Sequence, residues 1–265
     1  MGHIRQYTNL LPQPVRFGLR KFMFRGSAHT CPLCENRISG FHDHGGGHDV
    51  LDTRKVVGGM RRIKDRCPVC HGCDRTRMMM TYLEKVVDVH NNPKSILHIA
   101  PDYGLYLWLK RQPNVTYTGS DIDAGRYRHI ENMQSADLMD APFADNSFDI
   151  VICSHVLEHV PDDAKAFKEI LRILKPGGEA MLLVPLATDG KPTEEEPSIS
   201  DPAEQERRFG QWDHVRIYSK DDFLDRMRVA GFDVAPFEPF VTMPETAEER
   251  MLNPLEILPI GKKPL

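Results

Sequence analysis

The chain has 265 residues, with 40% hydrophobic and 27% charged residues and a formal net charge of −4. That length fits one large domain, or a domain of roughly 150–170 residues joined to a smaller module. The composition is ordinary for a soluble globular protein. No stretch approaches the roughly 18 consecutive apolar residues of a membrane-spanning helix, which argues against an integral membrane protein.

The opening segment, MGHIRQYTNLLPQPVRFGLRKFMF, has basic clusters and short apolar pieces, without a signal-peptide core or a small-residue cleavage site. We therefore expect a cytoplasmic protein. Residues 1–90 carry 15 Lys and Arg against 8 Asp and Glu, whereas residues 91–265 carry 19 against 30. This asymmetry fits two modules with different solvated faces, or a basic front half that meets an anionic substrate such as a phosphate, a nucleic acid or a sugar nucleotide.

Five of the six cysteines lie between residues 31 and 73, in the pattern CPLC at 31–34 and CPVC at 67–70. Two such pairs supply four soft ligands in tetrahedral geometry, which is what a structural Zn²⁺ requires. The sequence therefore predicts a zinc site formed by Cys31, Cys34, Cys67 and Cys70. The alternatives are two disulfides or a redox-active pair, both of which the absence of a secretory signal and the paired spacing disfavour.

Two features near the cysteines leave alternatives open. Cys73 either replaces one ligand or packs beside the site, and we favour packing. The segment HDHGGGHD at 42–49 either binds a second metal or forms an exposed flexible turn between the two cysteine pairs. Its three glycines favour the turn.

The next segments alternate between helix and strand patterns. CDRTRMMMTYLEKVVDV at 73–89 has apolar residues at helical spacing and predicts an amphipathic helix. Four later segments are predicted to be strands: SILHIA at 95–100, Tyr117 to Asp123, FDIVIC at 148–153 and AMLLVPL at 180–186. A helix is predicted over 162–178, before the last of these strands. This order is typical of an open α/β sheet that holds a nucleoside-containing cofactor at the carboxyl ends of its strands.

Three segments carry a family resemblance: SILHIAPDYG at 95–104, SDID at 120–123 and PFADNSFDIVICSHVLEHV at 142–160. Through them, residues 94–240 resemble a class I S-adenosylmethionine-dependent methyltransferase of type 11. The four cysteines and the helix that follows them resemble the N-terminal part of a bacterial group of these enzymes that carries a zinc ribbon. This chain departs from that group in His71-Gly72-Cys73 and in its longer loop between the cysteine pairs. The resemblance implies a Rossmann-like, doubly wound, mostly parallel seven-stranded sheet with a small N-terminal zinc-ribbon module.

The resemblance also implies a set of cofactor-binding residues. In the first turn, Ala100, Asp102 and Gly104 take the family's glycine positions, and Pro101 lies between them. His98 takes the place of an acid that orders this turn. The helix after the turn is expected to direct its positive end at the methionine carboxylate. Asp102 would repel a pyrophosphate but suits the methionine ammonium, which disfavours a nicotinamide-binding fold.

Further along the chain, Asp121 is expected to accept hydrogen bonds from the ribose hydroxyls, beside Ile122, unless it caps the following helix. Asp137 is expected to accept from the adenine amine, and Leu138 to cover the ring. His155 follows the next strand and is expected to contact the cofactor.

A long polar segment, residues 187–219, follows the fifth strand and is expected to cover the methyl acceptor as a lid. Within it, His214, Arg216 and Tyr218 alternate and can share one face. Transfer to oxygen or nitrogen requires a base, and the candidates are His155, His159 and His214. Arg216 suits an anionic acceptor. A structural role for these residues, fixing the lid in place, is the competing interpretation.

The sequence thus predicts an N-terminal extension over 1–26, a zinc ribbon with its linking helix over 27–90, and a methyltransferase domain over 91–265. The expected activity is methyl transfer from S-adenosylmethionine to an oxygen or nitrogen of a small-molecule or sugar-containing acceptor, with Zn²⁺ as a structural metal. The first alternative is an rRNA or tRNA methyltransferase that uses the basic front half, and the second is a non-catalytic zinc-dependent interaction protein. No membrane partner is expected, and the last strand is expected near 255–260.

Overall fold

The computed structural model describes residues 13–265. The first part of the predicted N-terminal extension, residues 1–12, lies outside the described residues. The helices are α1 (Gln13–Met23), α2 (Asp49–Thr53), α3 (Asp74–Lys85), α4 (Tyr103–Leu109), α5 (Asp163–Ile173), α6 (Pro202–Phe209), α7 (Lys220–Val229), α8 (Pro239–Thr242) and α9 (Pro244–Glu249). Short 3₁₀ helices cover Ala124–Tyr127 and Leu157–His159.

Fifteen strands lie within the described residues. They are β1 (Arg25–Thr30), β2 (Arg37–Ile38), β3 (His42–His44), β4 (Val56–Val57), β5 (Arg62–Arg66), β6 (Lys94–Ile99), β7 (Val115–Asp121), β8 (Met133–Ser135), β9 (Phe148–Ser154), β10 (Leu174–Leu183), β11 (Leu186–Ala187), β12 (Glu194–Glu195), β13 (Arg216–Ser219), β14 (Asp233–Val234) and β15 (Ile260–Lys262).

Seven of these strands form one sheet in the order β14-β15-β10-β9-β6-β7-β8. The neighbouring pairs from β10 to β8 are parallel, and β15 runs antiparallel to both of its neighbours. The order starts at β6 in the centre and grows outward in both directions, as a doubly wound sheet does. The predicted Rossmann-like fold is confirmed. The last strand begins at Ile260, later in the chain than the expected 255–260.

The central strands are buried on both faces, because successive side chains along a strand point to opposite sides of the sheet. Ile96 on β6 packs into the cluster that contains Met79, Leu105 and Trp108 from α3 and α4. Its neighbour Leu97 packs into the other cluster, with Phe167 of α5. Helices on both faces are what make these apolar strand sequences stable.

The cysteine-bearing segment is part of the same core. Its short strands pair as β1 with β2 and β3 with β5. Cys31, Leu33, Cys67 and Val69 share the buried cluster of α3 and α4. The segment therefore packs directly onto the helices that follow it.

A second sheet, in the order β12-β13-β11-β4, contains the strands of segment 187–219, which also includes α6. Strand β11 pairs with β4, so this segment is hydrogen-bonded to the region between the two cysteine pairs. None of the helices within residues 13–265 has the length and apolar character needed to cross a bilayer.

Candidate active site

The first turn after β6 adopts the backbone that the cofactor turn requires. Ala100 has φ +47°, a left-handed conformation that ordinarily favours glycine, and its amide donates to Ser120 O at 2.7 Å. The Asp102 side chain accepts from the amides of Gly104, at 2.8 Å, and Leu105, and so caps α4. This differs from the expectation for the helix terminus: its first amides are satisfied by Asp102, because the acid sits at the N-cap position.

His98 holds this turn from below. It is fully buried on β6, and its Nε2 accepts from the Asp102 amide at 3.3 Å. Its Nδ1 lies 3.4 Å from the Tyr117 hydroxyl oxygen. Burial lowers the pKa of His98 to about 3, so the imidazole is neutral and can accept this hydrogen bond.

This burial leads to a pH-dependent stability. The folded pKa of His98 lies below its unfolded value, so its contribution is present above about pH 6.5 and is lost as the pH falls toward 3. In His98→Gln the amide oxygen can replace the acceptor, but the side chain does not titrate. When the pH is lowered from 7.5 to 5.5, we expect the unfolding free energy of the wild type to fall by about 1.4 kcal/mol more than that of the variant. Denaturant unfolding of both proteins at the two pH values checks this. Equal losses would contradict it.

The residues expected around ribose and adenine lie at the ends of β7 and beyond β8. Asp121 ends β7, and its carboxylate accepts from the Asp123 amide at 2.8 Å. Ile122 beside it is 71% exposed. Asp137 accepts from the Met139 amide at 2.8 Å, while Leu138 lines a small cavity together with Ile99 of β6. Ile122 thus presents an apolar surface next to Asp121, and Leu138 forms part of the wall of the small cavity.

A larger cavity of about 340 Å³ opens beyond the end of β9. Its walls come from the loop between the cysteine pairs, the start of α3, the turn after β9 and the segment before β13. The lining residues are His44, Gly45, Gly46, His48, Leu51, Gly58, Gly59, Arg75, His155, Glu158, His159, Pro185, Gly210, Gln211 and His214. All three histidines predicted as bases reach this one cavity.

His155 and Glu158 form a close pair on its wall. His155 has φ +56°, a strained conformation for a residue other than glycine. Its Nδ1 lies 3.2 Å from Glu158 Oε1, and its buried Nε2 has no hydrogen-bond partner within residues 13–265. Burial lowers the pKa of His155 to about 4. Burial alone would raise the pKa of Glu158, but the nearby histidines, His155 first, outweigh it and bring that pKa to about 2. The pair is therefore a neutral imidazole beside a carboxylate.

Arg216 is placed differently from the expectation that it meets an anionic acceptor. Its side chain is 1% exposed and is absent from the cavity wall. Its guanidinium donates to the carbonyls of Leu157, Val160 and Pro161 and pairs with Glu195 at 3.1 Å. With every donor group directed at these acceptors, Arg216 fixes the turn after β9 to β13. This is the competing interpretation given for it above.

The four predicted zinc ligands come together. The sulfur atoms of Cys31, Cys34, Cys67 and Cys70 all lie within 4.8 Å of one another. Each pair sits in the same kind of turn, in which the amide of the residue after the second cysteine donates to the carbonyl of the first. That residue is Glu35 in one turn and His71 in the other, and both have positive φ. Cys73 is not in this group; it precedes α3 and lies near His44 and Asp65.

The loop 42–49 is not simply an exposed turn. His42 to His44 form β3, and Gly45 and Gly46 line the cavity. His44 Nδ1 lies 3.1 Å from Asp65 Oδ2, whereas His48 Nδ1 faces Glu206 at 3.7 Å. These histidines therefore do not share a single metal site.

The sequence profile of a family described as "Methyltransferase domain" matches residues 73–241, well over half of the chain. The chain belongs to this methyltransferase family. The match begins at the residue before α3 and ends in α8, so it includes every strand of the main sheet from β6 to β14. The expected class I S-adenosylmethionine-dependent methyltransferase is thereby confirmed as the family of this chain.

Named relatives share part of this methyltransferase. Tocopherol O-methyltransferase from Arabidopsis thaliana is 33% identical over 147 residues, which is 54% of this chain and 42% of the relative. The ubiquinone/menaquinone biosynthesis C-methyltransferase UbiE from Geotalea daltonii is 33% identical over 94 residues, covering 31% of this chain and 40% of the relative. The chain spans about two fifths of the length of these curated relatives. A solved structure of a SAM-dependent methyltransferase from Archaeoglobus fulgidus superposes with a TM-score of 0.47 at 15% identity, covering 71% of this chain and 94% of that one.

Two side chains on the cavity wall of the methyltransferase were not predicted as site residues. Glu158 lies between two of the predicted bases, and its position three residues after His155 was a signal that the two side chains could meet. Arg75 lies at the start of α3, and its Nη1 lies 3.4 Å from Gly58 O at the cavity. No sequence pattern indicated that the loop carrying Gly58 would fold against β9.

Proposed function

We propose that this methyltransferase transfers a methyl group from S-adenosylmethionine to an oxygen or nitrogen of a small-molecule or sugar-containing acceptor held in the 340 Å³ cavity. The observation that carries the proposal is the convergence of five histidines, a glutamate and an arginine on that cavity. Its volume falls in the range of small-molecule sites, roughly 300–1,000 Å³. The names of the two relatives, a tocopherol O-methyltransferase and a ubiquinone/menaquinone biosynthesis C-methyltransferase, agree with a small acceptor.

The chemistry needs little from the leaving group. The carbon–sulfur bond breaks as the sulfonium takes its electron pair and departs as a neutral thioether, so the rate depends on alignment and on removing the acceptor's proton. His155 is the base that we favour, because its buried Nε2 has no hydrogen-bond partner in the described part of the chain and Glu158 Oε1 lies 3.2 Å from its Nδ1. Arg75 suits an anionic group on the acceptor and takes the role first expected of Arg216.

The cofactor is proposed to lie along the carboxyl ends of β6 and β7. The turn from Ala100 to Gly104 would face the methionine part, with Pro101 and Asp102 within it and His98 supporting it. Asp121 would accept from the ribose hydroxyls beside Ile122, and Asp137 and Leu138 would meet adenine. The exposed face of Ile122 and the small cavity at Leu138 support this placement.

The cysteine cluster fits a structural Zn²⁺. The sulfurs of Cys31 and Cys70 are 3.8 Å apart and those of Cys34 and Cys67 are 3.9 Å apart. A tetrahedron with Zn–S distances of about 2.3 Å has edges of about 3.8 Å. We therefore propose these four cysteines as zinc ligands and residues 27–90 as the zinc ribbon with its linking helix. Segment 187–219 remains the proposed lid, supported by Gly210, Gln211 and His214 at the cavity.

The test uses S-adenosylmethionine labelled on its methyl group, mixed with the purified protein and a cell extract. Label that depends on the protein and appears in the low-molecular-weight fraction would support the proposal. Label that appears only in a large fraction and is removed by ribonuclease would overturn it in favour of an RNA methyltransferase. If calorimetry detects no binding of S-adenosylmethionine, the alternative of a non-catalytic zinc-dependent interaction protein would be favoured.

Asp121→Ala is expected to weaken the binding of S-adenosylmethionine by about 1–3 kcal/mol, the usual cost of losing a charged hydrogen-bond partner. Asp123→Ala is the matched control, because Asp123 lies two residues away and pairs with Arg126 at 3.2 Å on the surface. Calorimetry on both variants checks the prediction. An unchanged affinity in Asp121→Ala, or an equal loss in both, would place the ribose elsewhere.

A further inference from the structure

We propose that Glu158, His159 and His214 bind a divalent transition-metal ion of the Zn²⁺ class in the wall of the cavity. One donor atom from each residue lies within 4.8 Å of the other two. The three residues come from two segments, the turn after β9 and the stretch before β13, which the backbone bond from Val215 N to Glu158 O at 3.0 Å holds together. Two imidazoles and a carboxylate are a donor set that suits Zn²⁺ and similar ions.

Both imidazoles have an oxygen near Nδ1. His159 Nδ1 lies 3.2 Å from the Asp213 carbonyl oxygen and 3.3 Å from its carboxylate. His214 Nδ1 lies 3.3 Å from the Phe209 carbonyl oxygen. When Nδ1 carries the proton and donates it to such an oxygen, the lone pair is on Nε2. A metal-bound histidine ordinarily has this outer hydrogen bond.

Glu158 supplies the second, independent observation. Its side chain is 1% exposed, and both of its carboxylate oxygens are buried without a hydrogen-bond partner among the described residues. A buried carboxylate without such partners is costly. The nearest group, His155 Nδ1, lies 3.2 Å from Oε1 and leaves Oε2 without a neighbouring donor in the part of the chain that the structure describes. A divalent cation between Glu158 and the two imidazoles would compensate this charge.

The site differs from the cysteine cluster in both chemistry and purpose. Its ligands are nitrogen and oxygen rather than sulfur, and there are three protein ligands rather than four. Three ligands leave a position for water or substrate, as in catalytic zinc sites. The free position would face the cavity, where the ion could bind the acceptor's oxygen or nitrogen and ease the loss of its proton. This last role rests on the proposed function, whereas metal binding itself does not.

The experiment is a Co²⁺ titration of the full chain after its cysteine cluster has been filled with Zn²⁺. We expect one further equivalent of Co²⁺ to bind with weak visible absorption and without thiolate charge-transfer bands. Glu158→Gln and His214→Gln should each bind one equivalent less than the wild type. His48→Asn, another cavity histidine whose Nδ1 faces Glu206, is the matched control and should bind the same amount.

Several results would overturn the site. One is that no Co²⁺ binds beyond the cysteine cluster, and another is that all variants bind the same amount. A third is the appearance of cobalt–thiolate bands, which would place the ion at Cys73 with His44 and Asp65. The wild-type spectrum decides the matter even where a variant fails to fold. The titration contains no S-adenosylmethionine, and calorimetry with that cofactor is run separately on the same protein. Loss of the metal site and loss of the proposed methyl transfer therefore give different results.

Discussion

His214→Ala is expected to lower turnover by about 10²–10⁴-fold while the affinity for S-adenosylmethionine is unchanged. His214 lines the cavity, and its Nδ1 is held by Phe209 O, which leaves Nε2 for a proton or a metal ion. Its side chain lies away from the residues proposed for the cofactor, so binding of the cofactor should not depend on it. Turnover is measured with the acceptor found in the labelling experiment, and cofactor affinity by calorimetry.

Two other outcomes have distinct meanings. If His214 only fixes segment 187–219 in place, both cofactor and acceptor binding should weaken and turnover should fall modestly. If the variant is fully active, His214 and segment 187–219 have no part in the mechanism, and His155, the base proposed for the reaction, acts without them. His48→Ala is the control for a cavity histidine outside the proposed machinery, and its turnover should stay within a few-fold of the wild type.

The order of strands and the cysteine cluster could be predicted from the sequence because both depend on local patterns. The buried strands β6 and β9 read as continuous apolar runs, and paired C-x-x-C motifs have a fixed spacing. The turn at Ala100 was also predictable, since the backbone there takes the conformation of the glycine it replaces. Each strand, each cysteine pair and the first turn is encoded within about ten neighbouring positions, although 32 residues separate the two cysteine pairs themselves.

The details of the site were less predictable because they depend on contacts between distant segments. Arg216 alternates with His214 along the chain, yet only His214 reaches the cavity, because the guanidinium is used by carbonyls of the turn after β9. Arg75 meets the cavity beside Gly58, in a loop that the pairing of β4 with β11 holds against the main domain. Such pairing has no local signature in the sequence. The prediction from spacing therefore located the histidines near the cavity but misassigned Arg216 as a contact for an anionic acceptor.

Removing the proposed Zn²⁺ from the cysteine cluster is expected to weaken S-adenosylmethionine binding at least about tenfold, in addition to destabilising the segment that carries the cysteines. Structural zinc contributes roughly 10–16 kcal/mol of apparent binding free energy, which is also folding free energy. The cluster lies against the cofactor turn. A Cβ on Gly104 would come within 3.3 Å of Cys70 Sγ and 3.2 Å of the Gly72 Cα. The cysteine turn and the cofactor turn are therefore in direct contact.

A second contact links the same two regions and supports the coupling. The Thr76 hydroxyl, one turn into the helix that follows the cysteines, donates to the Asp102 carboxylate at 3.1 Å, and Asp102 in turn caps α4. If the cysteine turn relaxes, α3 and this hydrogen bond shift, and the first turn loses the support that keeps Ala100 in its strained conformation.

Calorimetry with S-adenosylmethionine before and after chelation, and again after Zn²⁺ is restored, measures the effect. Cys73→Ser should retain both metal and affinity, because Cys73 is outside the cluster. A metal-free protein that binds the cofactor as tightly as the zinc form would show that the cysteine cluster and the cofactor turn are independent.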